Sequence, residues 1–422
     1  MNALLIKGGK VALKDGISSL DILIDTASGK INKIRQYISV TGAKVVDATG
    51  LLVLPGAIDC HVHFREPDST NSEGFSSGSA SALAGGVTTV MDMPCYRHPA
   101  TNTIDAYNSK RRIAQRKCRC DYQLRFGASE KNQKEAARSG APSLKIFLAA
   151  TGSELDCSYA AAAAHFSEFP KSKPICVHAE DAERIGWRKG KYSEHGKIRD
   201  KKSAWIACEW ALRKSGASGR RIHICHLTTA KEVDMCRRHR NATYEITPSH
   251  LYLSESDLAD LGFLGKVNPP LRDRAETLRL WRKIGNDTII ASDHAPHLPK
   301  AKRGGASGFP GVGTLLPLML HAAHTRKIPL RLVPKICSQN PAQAFSLPSK
   351  GEIAEGKDAD LVLVDMEKKW RISAKNRLSK CGWTPFEGKE VCGKIEAVYL
   401  RGSLAYDGKR VLAKPGFGKE LH

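Results

Sequence analysis

The chain has 422 residues, of which 41% are hydrophobic and 26% charged, and its formal net charge is +23. This is enough for one large domain with a smaller one beside it, but no segment approaches the roughly 20 apolar residues that cross a bilayer, and the apolar start is too short for a signal peptide. The twelve cysteines show no secreted disulfide pattern, so we expect a cytoplasmic protein. The basic charge suits an acidic partner or a solvated surface, and without any recognisable binding module it does not predict nucleic-acid binding.

Both ends of the chain predict short β-strands separated by glycine-containing turns. Residues 1–54 and residues 346–422 each have this all-β character. The runs are Ala3–Lys7, Leu20–Ile24, Lys44–Asp47, Asp360–Val364 and Ala397–Arg401. We predict that the two ends together form one small composite β-sandwich.

Between these ends, over residues 55–345, β-rich runs alternate with segments that have the alanine, leucine and lysine content of helices. The runs are Gly56–His63, Val87–Asp92, Tyr122–Ala128, Ser143–Ala149, Pro174–His178, Ile222–His226, Thr243–Thr247 and Thr288–Ser292. Strand–helix alternation predicts a parallel sheet. Eight such units in roughly 290 residues predict an α/β fold of the (β/α)₈, or TIM, barrel type.

Polar side chains recur at or just beyond the ends of these runs, with one lysine inside the fourth. They are His61, His63, Lys145, His178, His226 and Asp293. A histidine can simply cap a strand end, and a lysine can extend its amine out of an apolar run. A barrel, however, builds its active site at the rim where its strands end. We therefore expect all six residues to meet there.

Four histidines and a carboxylate are typical zinc ligands, and so many candidates predict two metal ions about 3.5–4 Å apart. His61 and His63 are two residues apart, so on a strand both point to the same side. Lys145 can join them only after deprotonation or conversion to a carbamate, because an ammonium has no lone pair. Hydroxide formed at such a centre can attack an amide, with Asp293 as the proton shuttle and Arg65 beside it to hold a small anionic substrate.

The chain resembles the cyclic amidohydrolases and, among them, the dihydroorotase family, essentially from end to end. The segments that carry the resemblance are His61–Pro67, Ala84–Val90, Met93–Pro94, Leu144–Phe147, Val177–Glu180, Cys225–Thr229, Val267–Arg272, Ser292–His297, Gly308–Val312, Asn340–Ala342, Gly356–Val362 and Trp383–Gly388. The resemblance implies a distorted TIM barrel with a composite β-sandwich. It also implies reversible cyclisation of N-carbamoyl-L-aspartate to L-dihydroorotate, a step of pyrimidine biosynthesis.

The resemblance further implies roles for individual residues. His61, His63 and Asp293 would hold one zinc, His178 and His226 the other, and Lys145 would bridge them as a carbamate. Asp293 would be the general acid and base. The substrate groups implied are Arg65, Asn268 and His297, the position of Cys95, and the backbone of the Phe309–Gly311 turn, which includes Pro310 and Gly311.

Three positions depart from the family pattern. Cys95 replaces the usual asparagine, which helps to hold the substrate carboxylate; a thiol is a weak donor, and Arg97, His98 or Asn102 are candidates to compensate. Asp68 replaces a glycine and adds negative charge near the anion site. Gly313 replaces a glutamate. None of the three is a predicted metal ligand.

The loop His297–Gly308 contains three glycines and the basic residues Lys300, Lys302 and Arg303. Its composition fits either a mobile lid over an anionic substrate or an ordinary surface loop.

Two other functions stay open. Allantoinases and hydantoinases share the metal ligands, although Arg65, Asn268 and His297 favour dihydroorotase. The other is a non-catalytic partner of aspartate transcarbamoylase, which the presence of all six candidate ligands disfavours. For assembly, we consider a homodimer and docking of the basic surface onto an acidic transcarbamoylase.

Overall fold

The structure is a computed structural model that describes residues 3–95, 100–149, 151–376 and 378–422. Its strands are β1 Ala3–Leu13, β2 Gly16–Asp25, β3 Lys30–Arg35, β4 Lys44–Asp47, β5 Leu52–Pro55, β6 Ala57–Val62, β7 Val87–Asp92, β8 Asp121–Leu124, β9 Phe126–Gly127, β10 Leu144–Phe147, β11 Ile175–His178, β12 Ile222–Ile224, β13 Ala242–Ile246, β14 Ile289–Ile290, β15 Leu361–Arg371, β16 Glu390–Leu400 and β17 Ser403–Tyr406.

The α-helices are α1 Phe75–Ala84, α2 Ile104–Lys117, α3 Gln133–Arg138, α4 Tyr159–Glu168, α5 Ala182–Lys189, α6 His195–Ile198, α7 Lys201–Ser218, α8 Ala230–Arg237, α9 Pro248–Tyr252, α10 Leu258–Leu261, α11 Arg274–Arg282, α12 Pro299–Arg303, α13 Leu315–His324, α14 Leu332–Pro334 and α15 Asn340–Ala344. Short 3₁₀ turns lie at Glu255–Asp257, Gly262–Gly265 and Ala374–Asn376, and a π-helical turn at Lys335–Gln339. No helix in the described part of the chain combines the length and apolar character that crossing a membrane requires.

Parallel strands close into a barrel. β6, β7 and β8 pair in sequence order, as do β9 to β14. β8 and β9 form one barrel strand, since only Arg125 separates them and its backbone N–H donates to Asp92 at 3.0 Å. The ring closes where the backbone N–H of His63 donates to the carbonyl of His294 at 2.7 Å. The predicted (β/α)₈ barrel is confirmed.

The barrel strands lie within a few residues of the predicted runs, and β7 coincides with its run. The last strand is the shortest, with only Ile289 and Ile290 in the ladder. It ends early because the Ser292 N–H donates to the side chain of Asp59 at 3.0 Å, and the backbone of Asp293 then turns to a positive φ of 46°.

Side-chain caps start several of the helices around the barrel. Thr103 Oγ1 accepts the Ala106 N–H at 3.2 Å at the start of α2. At the start of α8, Thr229 and Glu232 bond reciprocally in a capping box. At its end, α7 is followed by Gly219, whose φ of 65° is readily adopted by glycine. These signals are local, which is why helix positions were predictable from sequence.

The two ends of the chain form a second, mixed sheet with the order β17-β16-β15-β5-β1-β2-β3, and β4 pairs with β1. β5 and β15 are antiparallel, with Val53 opposite Leu363. Residues from both ends, including Leu4, Ile22 and Leu361, share one buried apolar cluster. The predicted composite β-domain is confirmed, and the limits at residues 54 and 346 stay a prediction.

A buried ion cluster joins the barrel to this sheet. The Lys350 side chain is 1% exposed, and its Nζ lies 2.6 Å from Asp121 at the start of β8 and 2.8 Å from Asp360 just before β15. Asp358 lies 3.0 Å from the same amine, and Arg401 contacts Asp121. The cluster therefore lies at the amino end of the barrel strands, opposite the rim where the predicted ligands are.

Candidate metal centre

All six predicted ligands lie in or just after barrel strands. His61 is in β6 and His63 follows it, Lys145 is in β10, His178 ends β11, His226 follows β12 and Asp293 follows β14. Because the strands are parallel, these positions share the carboxyl rim of the barrel.

The donor atoms converge at that rim. Asp293 Oδ1 lies 3.2 Å from His61 Nε2 and 3.3 Å from His63 Nε2. The ring of His226 is 5.3 Å from that of His61 and 4.5 Å from that of His178, centroid to centroid. One donor atom from each of His61, His226 and Asp293 lies within 4.8 Å of the other two, which is the spacing of a metal-binding group.

Lys145 is fully buried close to this cluster. Its Nζ lies 3.0 Å from Cys225 Sγ and 4.9 Å from the centre of the Phe147 ring. β10 pairs with β11, with Phe147 opposite His178, and Cys225 is the residue before His226. Lys145 is therefore close to the proposed ligands His178 and His226.

Burial favours the uncharged forms of the histidines and of Asp293 when no metal is bound. It lowers the pKa of His61 to about 3, and lowers the pKa of His63 and His226 well below the ordinary value. Burial also raises the pKa of Asp293 well above the ordinary aspartate value. The imidazoles are therefore neutral at physiological pH, which is the form that binds metal ions.

Three residues of the site have a left-handed backbone. The φ angles are 61° at Arg65, 39° at His226 and 46° at Asp293. Positive φ is uncommon for residues other than glycine, and where it persists the surrounding contacts hold it. At His226 that contact is the side chain of Glu245, which accepts the His226 N–H at 3.2 Å.

A cavity of about 710 Å³ opens above the cluster, and most of its ionisable wall is basic. Arg65 and His297 are hydrogen-bonded on this wall, with Arg65 Nη2 3.0 Å from His297 Nε2. Asn268 also lines the cavity, and its Oδ1 is buried without a hydrogen-bond partner in the described part of the chain. Further basic lining residues are Lys189, His195, Arg199 and Lys266.

Three residues predicted to bind substrate do not reach the described cavity wall. Cys95 Sγ lies 3.3 Å from the carbonyl of Glu66 and 3.6 Å from the buried amine of Lys110. Pro310 and Gly311 lie behind the rim, because the Gly311 N–H donates to His294 Nδ1 at 3.1 Å. Contact of these three residues with substrate stays a prediction.

The other two positions that depart from the family pattern, Asp68 and Gly313, lie in different parts of the structure. Asp68 lines the cavity, as expected for a charge near the anion site. Gly313 lies outside it and packs closely against Gly85. Of the residues considered as compensation for Cys95, Asn102 does not line the cavity, and Arg97 and His98 lie outside the described residues.

The glycine-rich loop is anchored by Lys302. This side chain is 1% exposed, and its amine donates to the carbonyls of Lys266 and Gly308 rather than pointing into the cavity. Residues 304–308 form part of the cavity wall. The loop is therefore part of the site, but its most buried cation serves to hold it in place.

Sequence reasoning missed the buried carboxylates behind the histidines. Glu245 contacts His61 Nδ1, and Glu180 Oε2 lies 2.9 Å from His178 Nε2. Arg199 pairs with Glu180 at 2.6 Å. The available signal was a glutamate inside the otherwise uncharged strand β13, where a charge must find a partner within the barrel.

Comparison with known proteins identifies the family to which the chain belongs. The Amidohydrolase family model matches residues 52–405. A dihydroorotase of Methanosarcina acetivorans is 35% identical over 445 residues, covering 99% of this chain and 94% of that protein. Multifunctional protein CAD of Squalus acanthias is 35% identical over 381 residues, covering 88% of this chain but only 16% of that protein.

Among solved structures, the L-hydantoinase (dihydropyrimidinase) of Arthrobacter aurescens superposes with a TM-score of 0.94 at 27% identity, covering 100% of this chain and 99% of that one. The fold and the length of the matches agree. The chain belongs to the amidohydrolase family and, within it, to the dihydroorotases.

Proposed function

We propose that this chain is a dihydroorotase that interconverts N-carbamoyl-L-aspartate and L-dihydroorotate. The observation that carries the proposal is the position of Arg65 and His297 on the wall of a cavity above four histidines and Asp293. A guanidinium binds a carboxylate through two parallel hydrogen bonds, so this wall suits a cyclic amide that also carries a carboxylate. The 35% identity to a named dihydroorotase along nearly the whole chain supports the same reaction.

The donor set fits zinc. Imidazole and carboxylate are ordinary zinc ligands, and His226 Nδ1 is buried with no hydrogen-bond partner among the described residues. On the family resemblance we assign His61, His63 and Asp293 to one ion and His178 and His226 to a second. When bound, zinc supplies a Lewis acid that polarises a carbonyl and makes hydroxide available near neutral pH.

Lys145 is the proposed bridge, as a carbamate. An unmodified ammonium would repel two dications, and it has no lone pair to donate. When the deprotonated amine adds CO₂ and releases a proton, the carbamate replaces a buried positive charge by a negative one that carries two oxygen donors. The full burial of Lys145, with Cys225 and the strand that carries His178 beside it, supports this role.

Side chains of the protein carry out the proton transfer and hold the substrate. Asp293 accepts the proton released by the attacking water and passes it to the departing amide nitrogen. Arg65 and His297 hold the substrate carboxylate. The unpaired Oδ1 of Asn268 is an acceptor available to an N–H of the substrate.

Hydantoinase activity is the second candidate, because the superposition on an L-hydantoinase has a TM-score of 0.94. Both reactions open a cyclic amide and need the same metal ligands. They differ in the carboxylate, which hydantoin lacks and dihydroorotate has. Recognition of that group therefore separates the two functions.

The test measures hydrolysis of L-dihydroorotate, hydantoin and allantoin by the zinc-loaded protein and by Arg65→Met. We expect turnover of dihydroorotate, reduced about 10²-fold or more in kcat/KM by Arg65→Met, since a charged hydrogen-bonded pair contributes a few kcal/mol. Lys189→Met removes an exposed cation at the cavity mouth and serves as the control, with a change of less than about threefold. Turnover of allantoin or hydantoin alone would contradict the proposal.

Association with aspartate transcarbamoylase and a cytoplasmic location complete the proposal. The match to a segment of the much longer protein CAD supports covalent or non-covalent association with other enzymes, and the net charge of +23 favours an acidic partner. The twelve cysteines are all free and buried, which suits a reducing compartment. Co-purification with transcarbamoylase at low and high salt tests the association.

A further inference from the structure

Glu245 is a fully buried carboxylate below the proposed metal site. Its Oε1 contacts His61 Nδ1 and accepts the backbone N–H of His226 at 3.2 Å. Its Oε2 accepts a hydrogen bond from His223 Nε2 at 2.9 Å and the thiol of Cys60 at 3.3 Å. Glu245 thus contacts a proposed ligand of each zinc ion. It contacts the imidazole of His61 and the backbone N–H of His226.

This contact determines which nitrogen of His61 can bind a metal. A carboxylate only accepts hydrogen bonds, so the imidazole proton must lie on Nδ1. The lone pair is then on Nε2, which lies 3.2 Å from Asp293 Oδ1 on the cavity side. The opposite tautomer would point a proton at the position of the metal.

Glu245 is itself held from behind by His223. Since His223 Nε2 donates to Glu245, its Nδ1 is an acceptor, and the Thr243 hydroxyl lies 2.9 Å away to donate to it. Hydrogen bonds therefore link four side chains in the order Thr243, His223, Glu245 and His61. Thr243 and Glu245 are in β13, His223 is in β12 and His61 is in β6. Of these four residues, Thr243 alone is partly exposed.

We propose that Glu245, held by His223 and Thr243, is a positioning residue that fixes the metal-binding tautomer of His61 and the strained backbone of His226. The inference rests on the proposed zinc centre. Carboxylates that orient metal-binding histidines typically change metal affinity by about 10- to 100-fold. Glu245 makes no direct contact with a lysine or arginine among the ion pairs described for the structure, unlike Glu180, which pairs with Arg199.

The experiment titrates metal-free protein with Co²⁺ and follows its visible absorption, which reports affinity and ligand geometry without any turnover. Glu245→Gln keeps the shape but removes the charge, and Glu245→Met removes the acceptor as well. We expect affinity losses of about tenfold and about 100-fold respectively. Glu232→Gln is the matched control, because Glu232 is also buried but its side chain bonds to Thr228 and Thr229 among the described residues. The Co²⁺ affinity of this variant should stay within twofold of wild type.

A variant at Thr243, the residue of the hydrogen-bonded series that lies farthest from the metal site, keeps the test valid if the Glu245 variants fail to fold. Thr243→Val has nearly the same shape and leaves Glu245 in place, and we expect a loss of about two- to fivefold, given the modest value of one neutral hydrogen bond. Nitrogen-15 NMR of the metal-free protein should show the proton on His61 Nδ1 in wild type and a tautomer mixture in Glu245→Met. Unchanged Co²⁺ affinity and spectrum in all Glu245 and Thr243 variants would overturn this inference alone. Wild-type protein that binds no Co²⁺ would overturn the metal centre as well.

Discussion

The two ends of the barrel bury ionisable groups in opposite ways. At the amino end, Lys350 lies within 3.0 Å of three carboxylates, and their charges raise its pKa despite burial. At the carboxyl end, burial dominates, lowering the pKa of His61 to about 3 and raising that of Asp293. At the amino end the buried charges compensate one another, whereas at the carboxyl end burial favours the uncharged forms of the histidines and of Asp293.

The difference separates stability from function. A buried charge is tolerated where opposite charges surround it, and buried groups without such partners lose their charge instead. Neutral imidazoles crowded with a carboxylate are a poor way to stabilise a fold but a good way to bind dications. Substitutions at the two ends should therefore have different consequences.

The largest effect on activity is expected from Asp293→Asn. The amide keeps the shape but can neither shuttle a proton nor supply a negative ligand, so kcat/KM for dihydroorotate should fall by about 10³-fold or more. Thermal unfolding of the metal-free protein should change little, because asparagine has nearly the same shape and burial already raises the pKa of Asp293, which disfavours its charge. A variant with more than a tenth of wild-type activity would remove Asp293 from the proposed mechanism.

In contrast to Asp293→Asn, Lys350→Met is expected to lower the stability of the fold and to leave the proposed metal site intact. It removes the buried cation that Asp121, Asp358 and Asp360 share, and although Arg401 still contacts Asp121 and Lys30 still pairs with Asp358, Asp360 loses its cation, which should lower the free energy of unfolding by about 3–5 kcal/mol. Lys368→Met is the control, since its pair with Glu396 is exposed and should contribute less than about 1 kcal/mol. Urea denaturation measures both, and Co²⁺ affinity of the folded fraction should not change.

Lys302 is another buried lysine, and it sharpens the comparison with Lys350 because it has no carboxylate partner among its described contacts. Burial, with a contribution from Lys266, lowers the pKa of Lys302 to about 7. Between pH 7 and about 10.5 the unfolded lysine holds a proton that the folded one has lost, so the free energy of unfolding should rise with pH in this window.

The measurement compares wild type with Lys302→Met by urea denaturation at pH 7 and pH 9. Methionine has no proton to lose, so the wild type should gain up to about 2 kcal/mol more than the variant over this interval. Parallel pH dependence of the two proteins would show that Lys302 stays charged when folded. Lys350→Met is not expected to reproduce this slope, since carboxylates hold the Lys350 pKa above its ordinary value.

The fold and the rim were predictable because their signals are local. Strand–helix alternation gave the barrel, and polar residues at strand ends gave the histidines and Asp293. The positive φ angles of His226 and Asp293 were not predictable, because no glycine marks them. Glu245 was missed since its role depends on which side of a short strand faces the barrel axis, and on partners from β6 and β12 that are distant in sequence.

The smallest effect is expected at Cys95, where the family resemblance and the described geometry disagree. The usual asparagine would reach the substrate carboxylate, but the Cys95 thiol lies 3.3 Å from the Glu66 carbonyl and does not line the described cavity. If Arg65 and His297 suffice for the carboxylate, Cys95→Asn should change KM for dihydroorotate by less than about threefold, the scale of a weak neutral hydrogen bond. A tenfold fall in KM would mean that asparagine does reach the substrate, and that Cys95 weakens the proposed anion site. Cys157→Ser, another buried thiol away from the cavity, is the control for general effects of replacing a cysteine.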